Sequence, residues 1–265
     1  MKFKIDYSLK DARQIFQVLL GLDLSLTIAF YITHIFASNI PLGPVRSWFD
    51  LDSDFSISCW YSSIKLFLIA CCIFIASLNN SYKRYIPSNR VFFLGLLFVF
   101  LSMDEVSMIH EGLSAIARKL KLDWLLIKDH GAWIILYGVL AFFLFILFFR
   151  YIKRIWKVFP NETIKIFAGC VILVSGGVVV EVISYFFLRS DLTSTSYKIS
   201  VMIEESLEMI GVSIILYSMM LLSLSISSRD TLDNFRSHSL TNQVVNIHSV
   251  SEEICSKQTK KNSLD

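Results

Sequence analysis

Apolar residues in this chain come in long blocks with short polar breaks between them. Six blocks are long enough to cross a bilayer as helices, which takes roughly 20 residues. They cover approximately 14–38, 57–78, 91–111, 132–150, 164–188 and 200–226. The breaks include NNSYKRYIPSNR, KLKLDWLLIKDH, RYIKRIWKVFPNET and RSDLTSTSYK. Pro87 and Pro160 lie in two of these, where helices are expected to stop. The second block is the weakest, because Lys65 interrupts it early. The pattern predicts an all-α polytopic membrane protein, a six-helix transmembrane bundle, since only helices or closed barrels span lipid.

After the last block the pattern changes. Residues 227–265 are rich in Ser, Thr, Asn and Lys without sustained periodicity, and they read as a mostly disordered cytoplasmic tail. The leader MKFKIDYSLKDARQ is long and contains acids, and no small-residue cleavage site follows cleanly, so the first block reads as a retained helix.

Composition agrees with a lipid environment. Hydrophobic residues make up 54% of the chain and charged residues 18%, where soluble domains carry nearer a quarter charged. The mean hydropathy is +0.59. The net charge of +3 is spread among loops and leaves no nucleic-acid footprint, so membrane lipids are the expected partners. Of five cysteines, Cys71, Cys72 and Cys170 sit in apolar runs, and none forms a CxxC pair.

Lys and Arg in short loops set the orientation. They cluster before the first block, in 79–90, in 150–163 and in the tail, which all fall on one side. That side reads as cytoplasmic, with both termini there and the chain in a bacterial cytoplasmic (inner) membrane. The first opposite loop sets Arg46 against Asp50, Asp52 and Asp54. The 112–131 loop dissents, with Arg118, Lys119, Lys121 and Lys128 on the outer side. Leu113, Ile116, Leu120 and Trp124 recur there at helical spacing, so a short interfacial helix is expected.

Against this apolar background the ionisable residues stand out. At about 1.5 Å per residue, Asp104 lies roughly 20 Å above the start of the third block and Glu181 about 25 Å above that of the fifth. Glu204, Glu205 and Glu208 occupy the first turns of the sixth block, which enters from outside. His110 and Glu111 approach the outer interface, and His34 and His130 map to the same side. The spacing i, i+3, i+4, i+7 puts Asp104, Ser107, Met108 and Glu111 on one helix face. Gly211 and the Ser175-Gly176-Gly177 run mark places where helices approach closely. Asp23 is isolated near mid-membrane and could pair with another helix or a water, and Lys65 could snorkel to the interface.

Each intramembrane acid costs a few kcal/mol. Lys65 and Arg189 cannot neutralise seven carboxylates, so protons or a metal must. Carboxylate and imidazole clusters suit divalent metals. The expected ligands are Asp104, Glu111, Glu181, Glu204 and Glu208, with His110 as the nitrogen ligand. Glu105 and Glu205 are the expected proton-handling catalytic residues. The cofactor would be a divalent metal ion: zinc, iron or manganese.

The stretches LSMDEVSMIHEG and EESLEMIG resemble a group of uncharacterised bacterial multipass membrane proteins that share an LSxDExxxxHE helix and a late EExxEMxG helix. That resemblance implies no reaction. The run Asp104-Glu105-Val106-Ser107-Met108-Ile109 is also similar to a DE-x-SMI stretch of the alkaline ceramidase superfamily, multipass zinc-dependent amide hydrolases. This second resemblance implies a catalytic-site role for Asp104. Phe92 and Phe93 hold the place of that family's earlier histidine, and Glu204-x-x-x-Glu208 the place of its late histidine pair. The sequence thus points to a membrane protein with a carboxylate-rich metal site near the outer face, acting as a metal-dependent hydrolase of an amphipathic or lipid substrate. The alternatives are a proton- or cation-coupled carrier and a non-catalytic membrane assembly factor with structural acids.

Overall fold

The structure is a computed structural model that describes residues 8–78, 80–126 and 131–261. The chain divides into two compact units, Met1–Ser223 and Leu224–Asp265. The first is an all-helical membrane bundle. Five of the described helices are long and apolar enough to cross a membrane, and a bent pair brings the number to six when counted as one span.

Helix α1 (Leu9–Phe30) begins at a capping box. The Ser8 N–H donates to Asp11 Oδ2 at 2.8 Å, and the Asp11 N–H donates back to Ser8 Oγ at 3.2 Å. The helix widens into a π-helical turn at Tyr31–Phe36. The Arg46 guanidinium closes that end by donating to the carbonyls of Ala37, Ser38 and Ile40 at 3.0–3.1 Å. Arg46 itself sits on the short α2 (Pro44–Trp48), which Pro44 opens.

Helix α3 (Ile57–Leu78) matches the block that Lys65 interrupts. After the short α4 (Asn80–Lys83), α5 (Ser88–Ser107) starts behind Pro87 and packs along α3. Ser63 Oγ donates to the Ser102 carbonyl at 2.6 Å, and Ser102 Oγ donates to the Ser63 carbonyl at 2.8 Å. Further along the same seam, a Cβ on Gly95 would stand 2.5 Å from the Phe74 ring. The glycine therefore sets the helix separation there.

Met108 breaks the third block. Its φ of 55° and ψ of 34° are left-handed, and α6 (Ile109–Lys119) leaves at 72° to α5. The single straight helix expected over 91–111 is thus a span and a turned-away helix. The long α7 (Ala132–Val158) follows and buries only Ala132 and Phe148, so most of its surface belongs to lipid.

The last two spans cross closely. One is continuous from α8 (Pro160–Val174) through a π-helical stretch, Ser175–Val180, into α9 (Glu181–Phe187). The other is α10 (Thr195–Lys261). A Cβ on Gly211 would meet Leu173 N at 2.6 Å, and one on Gly176 would meet the Glu204 carbonyl at 2.6 Å. The close approach read from these glycines in the sequence is therefore present. α10 is helical as far as Lys261, and its part from residue 227 contains no Gly or Pro.

Candidate functional site

The Asp104–His110 pair, which the sequence offers as metal ligands, holds the bend. α6 starts at Met108 without a side-chain cap of its own. Asp104 supplies one from the preceding turn, accepting the His110 N–H on Oδ1 at 2.8 Å. His110 Nδ1 stands 3.3 Å from the same oxygen, and the Tyr137 hydroxyl donates to Oδ2 at 3.1 Å. Both carboxylate oxygens are engaged, and Asp104 is 5% exposed. Trp133 packs edge-on against His110 and Tyr137, which ties α7 to the bend.

The glutamates gather on the other side of α5. Glu105 acts electrostatically on His110, Asp104, Asp54 and Lys65. Glu205 faces Glu208, Glu105 and Glu204, and Glu208 faces Glu105, Glu204 and Glu181. Glu181 accepts a short hydrogen bond from the Tyr185 hydroxyl. The Arg189 guanidinium lies over the Tyr185 ring at 4.6 Å, within electrostatic reach of Glu181 and Glu204. Glu208 reaches over Gly177: its Oε1 lies 2.7 Å from where a Gly177 Cβ would be.

Two acids of the 50–56 loop complete this face. Asp52 accepts the Tyr197 hydroxyl at 3.1 and 3.2 Å. Asp52 as a residue is exposed, but its carboxylate turns toward Tyr197, and lost hydration pushes its pKa up against that bond. Partial burial pushes the Asp54 carboxyl up as well, and Glu111 adds to the rise. His34 is 8% exposed, stacks on Phe30 and places Nε2 3.6 Å from Asp50 Oδ2. His130 lies outside the described residues.

The deepest charges are ones the sequence left open. Lys65 is 0% exposed and Asp23 is 1%. Lys65 Nζ donates to Asp23 Oδ1 at 2.8 Å, to the Met209 carbonyl at 2.8 Å and to Ser213 Oγ at 3.3 Å. Ser213 Oγ donates to Asp23 Oδ2 at 2.7 Å, and Nζ stands 4.2 Å over the Tyr61 ring. Three spans, α1, α3 and α10, meet at this pair. Lys65 therefore does not snorkel, and Asp23 has the interhelical partner that the sequence allowed. The available signal was one acid and one base in otherwise apolar spans.

The metal reading needs correction. Among the described residues no three His, Cys, Asp or Glu side chains form a group that could hold a metal ion. The bend turns His110 and Glu111 off the α5 axis, Asp104 is taken by an amide and a phenol, and Glu181 is taken by Tyr185. The expected zinc, iron or manganese cofactor, the ligand roles of Asp104, His110, Glu111, Glu181, Glu204 and Glu208, and metal-dependent hydrolysis are all withdrawn. The zinc implied by the ceramidase likeness does not fit these residues either.

The chain belongs to the family described as Domain of unknown function (DUF8692). The family model matches residues 19–224, a range that contains Asp23, Lys65, Asp104 and every glutamate of the cluster. No curated protein and no solved structure matches the chain.

Proposed function

We propose that this DUF8692 member is a proton-coupled carrier that exchanges protons between one membrane face and the buried Asp23–Lys65 pair. The observation that carries the reading is Lys65, a fully buried cation held on three spans by a carboxylate, a carbonyl and a hydroxyl. Paired ionisable groups at such depth are costly and mark proton or ion paths. Glu105 lies between this pair and the face, in reach of both Lys65 and Asp54. Glu205 and Glu208 flank it, and Glu204, Glu181 and Arg189 form the rim. Carboxylates that crowd one another share protons in place of carrying full charge together. Glu105 and Glu205 thus keep the proton-handling role read from the sequence, without a metal.

The path opens to one face. Toward the other, residues 66–78, 91–103 and 209–223 contain no Asp, Glu, Lys, Arg or His. A relay that stops at mid-membrane is no proton channel, and crossing requires a conformational change of the kind carriers make. On the Lys and Arg distribution we assign the acid-bearing face to the outside of a bacterial cytoplasmic membrane, with both termini cytoplasmic. The competing reading is a non-catalytic assembly factor, favoured by Asp104, whose bonds all serve the bend.

Infrared difference spectroscopy on reconstituted protein, between acid and neutral pH, tests the proposal without knowledge of the cargo. Wild type should show a protonated-carboxyl band that responds to pH and is reduced in Glu105→Gln and Asp23→Asn. A spectrum identical in wild type and both variants would leave the acids as structural groups and sink the carrier reading.

A further inference from the structure

α6 and the turn after it form a surface that the proton relay does not use. Its inner side is fixed. Ser114 Oγ accepts the Ala132 N–H at 3.1 Å, and Ala117 packs with Leu125 and Ala132 in a small core that Leu122, Leu126 and Ile135 cover. With that face locked against α7, the opposite one cannot turn inward. Ile116 (54% exposed) stands on that face, Leu120 (63%) caps the helix and Trp124 (73%) follows in the turn beyond it, so the apolar stripe runs from α6 onto the turn. Water does not favour such a stripe, whereas the boundary between headgroups and acyl chains does. The 72° bend at Met108 supplies the tilt, turning α6 toward the membrane plane while α5 crosses it.

Two lysines flank Leu120 in the stripe. Lys119 ends α6, and Lys121 follows in a left-handed turn with φ 56°. Both are exposed. Basic residues in the last turn complement a helix C-terminus, but Lys121 lies beyond the helix end, so the dipole does not account for it. The nearest acid of the helix, Glu111, precedes Lys119 by eight residues, or about 12 Å along the axis. That exceeds a Debye length of roughly 8 Å at physiological salt. The basic end is therefore electrostatically separate from the acid cluster at the other end of the same helix.

We infer that α6 and its following turn are a docking surface for anionic phospholipid headgroups. Ile116, Leu120 and Trp124 enter the interfacial layer, and Lys119 and Lys121 pair with the phosphate-bearing heads. The arrangement also accounts for the basicity of a loop that, by Lys and Arg count, falls on the side where basic residues are scarce.

The test uses the full chain purified in a neutral detergent, with thermal unfolding followed on addition of phosphatidylglycerol, phosphatidylcholine or glycerol 3-phosphate. Phosphatidylglycerol should raise the midpoint more than phosphatidylcholine does, and glycerol 3-phosphate should leave it unchanged. Lys119→Gln and Lys121→Gln should each weaken the phosphatidylglycerol effect, by roughly five-fold in apparent affinity per lysine. A second readout is quenching by brominated phosphatidylglycerol in wild type and Trp124→Phe, where a large part of the quenching should vanish with the indole. An anionic-lipid effect that survives loss of both lysines would overturn the assignment. So would an equal effect of glycerol 3-phosphate, which would indicate a soluble-anion site, or quenching that does not depend on Trp124.

Discussion

Replacing Lys65 by Met is the sharpest test of the structure. The substitution keeps an unbranched side chain of similar length and removes the ammonium. Nζ makes three hydrogen bonds in a site without water access, to Asp23 Oδ1, the Met209 carbonyl and Ser213 Oγ. After its removal the Asp23 carboxylate keeps the Ser213 hydroxyl at 2.7 Å but loses its cation. Breaking a buried ion pair from one side costs about 3–5 kcal/mol, because the remaining charge is stranded. At about 1.4 kcal/mol per factor of ten, that is at least two orders of magnitude in the folding equilibrium. Removing both charges, as in Asp23→Leu with Lys65→Met, strands no charge and should recover most of the loss. Unfolding measured in a fixed detergent on wild type, both single variants and the double variant closes the cycle. A Lys65→Met protein as stable as wild type would refute the reasoning, and so would a double variant whose loss equals the sum of the singles.

Three further outcomes are expected. Gly176→Ala should destabilise by about 1–3 kcal/mol, the usual cost of overpacking, because its methyl would stand 2.6 Å from the Glu204 carbonyl, a backbone atom with no rotamer to escape into; thermal unfolding against Gly112→Ala, whose Cβ meets nothing within 4 Å, is the control. Asp104→Ala should cost about 1–2 kcal/mol, as loss of a helix cap does, while Asp104→Asn keeps an acceptor for the His110 N–H and should cost less; equal losses would argue against a capping role. Asp54 binds its proton more tightly when folded than at its ordinary value of 3.8, so the folded state holds more protons above that pH. Stability from this group is therefore full below the ordinary value and is lost as pH rises through the folded one. In Asp54→Asn the melting temperature should fall less over that window than in wild type, and an unchanged slope would contradict the assignment.

Much of this protein is legible along one dimension. Block length and apolar content mark the helices, because a helix in lipid satisfies its own backbone and needs about 20 apolar residues wherever it sits. Gly176 and Gly211 are legible as contact points, since a missing side chain in a membrane helix serves close approach. Rotation and direction are not. The i, i+3, i+4, i+7 stripe assumed that the α5 axis continued through Met108, a residue with no Gly or Pro signal. The chain turns there because Asp104, His110, Tyr137 and Trp133 converge from three helices to hold it. That turn dispersed the metal ligands which spacing had aligned.

The partner of Lys65 belongs to the same class of fact. Asp23 is 42 residues away and Met209 is 144, and their meeting depends on how α1, α3 and α10 are rotated about their axes. The sequence by itself determined that a few ionisable groups had to be accommodated in lipid, because their cost follows from chemistry and depth alone. Only the tertiary structure decided how each is accommodated: a salt bridge for Asp23, a cap for Asp104 and mutual proximity for the glutamates. Those pairings depend on side-chain direction across helices, which no periodicity along a single helix contains.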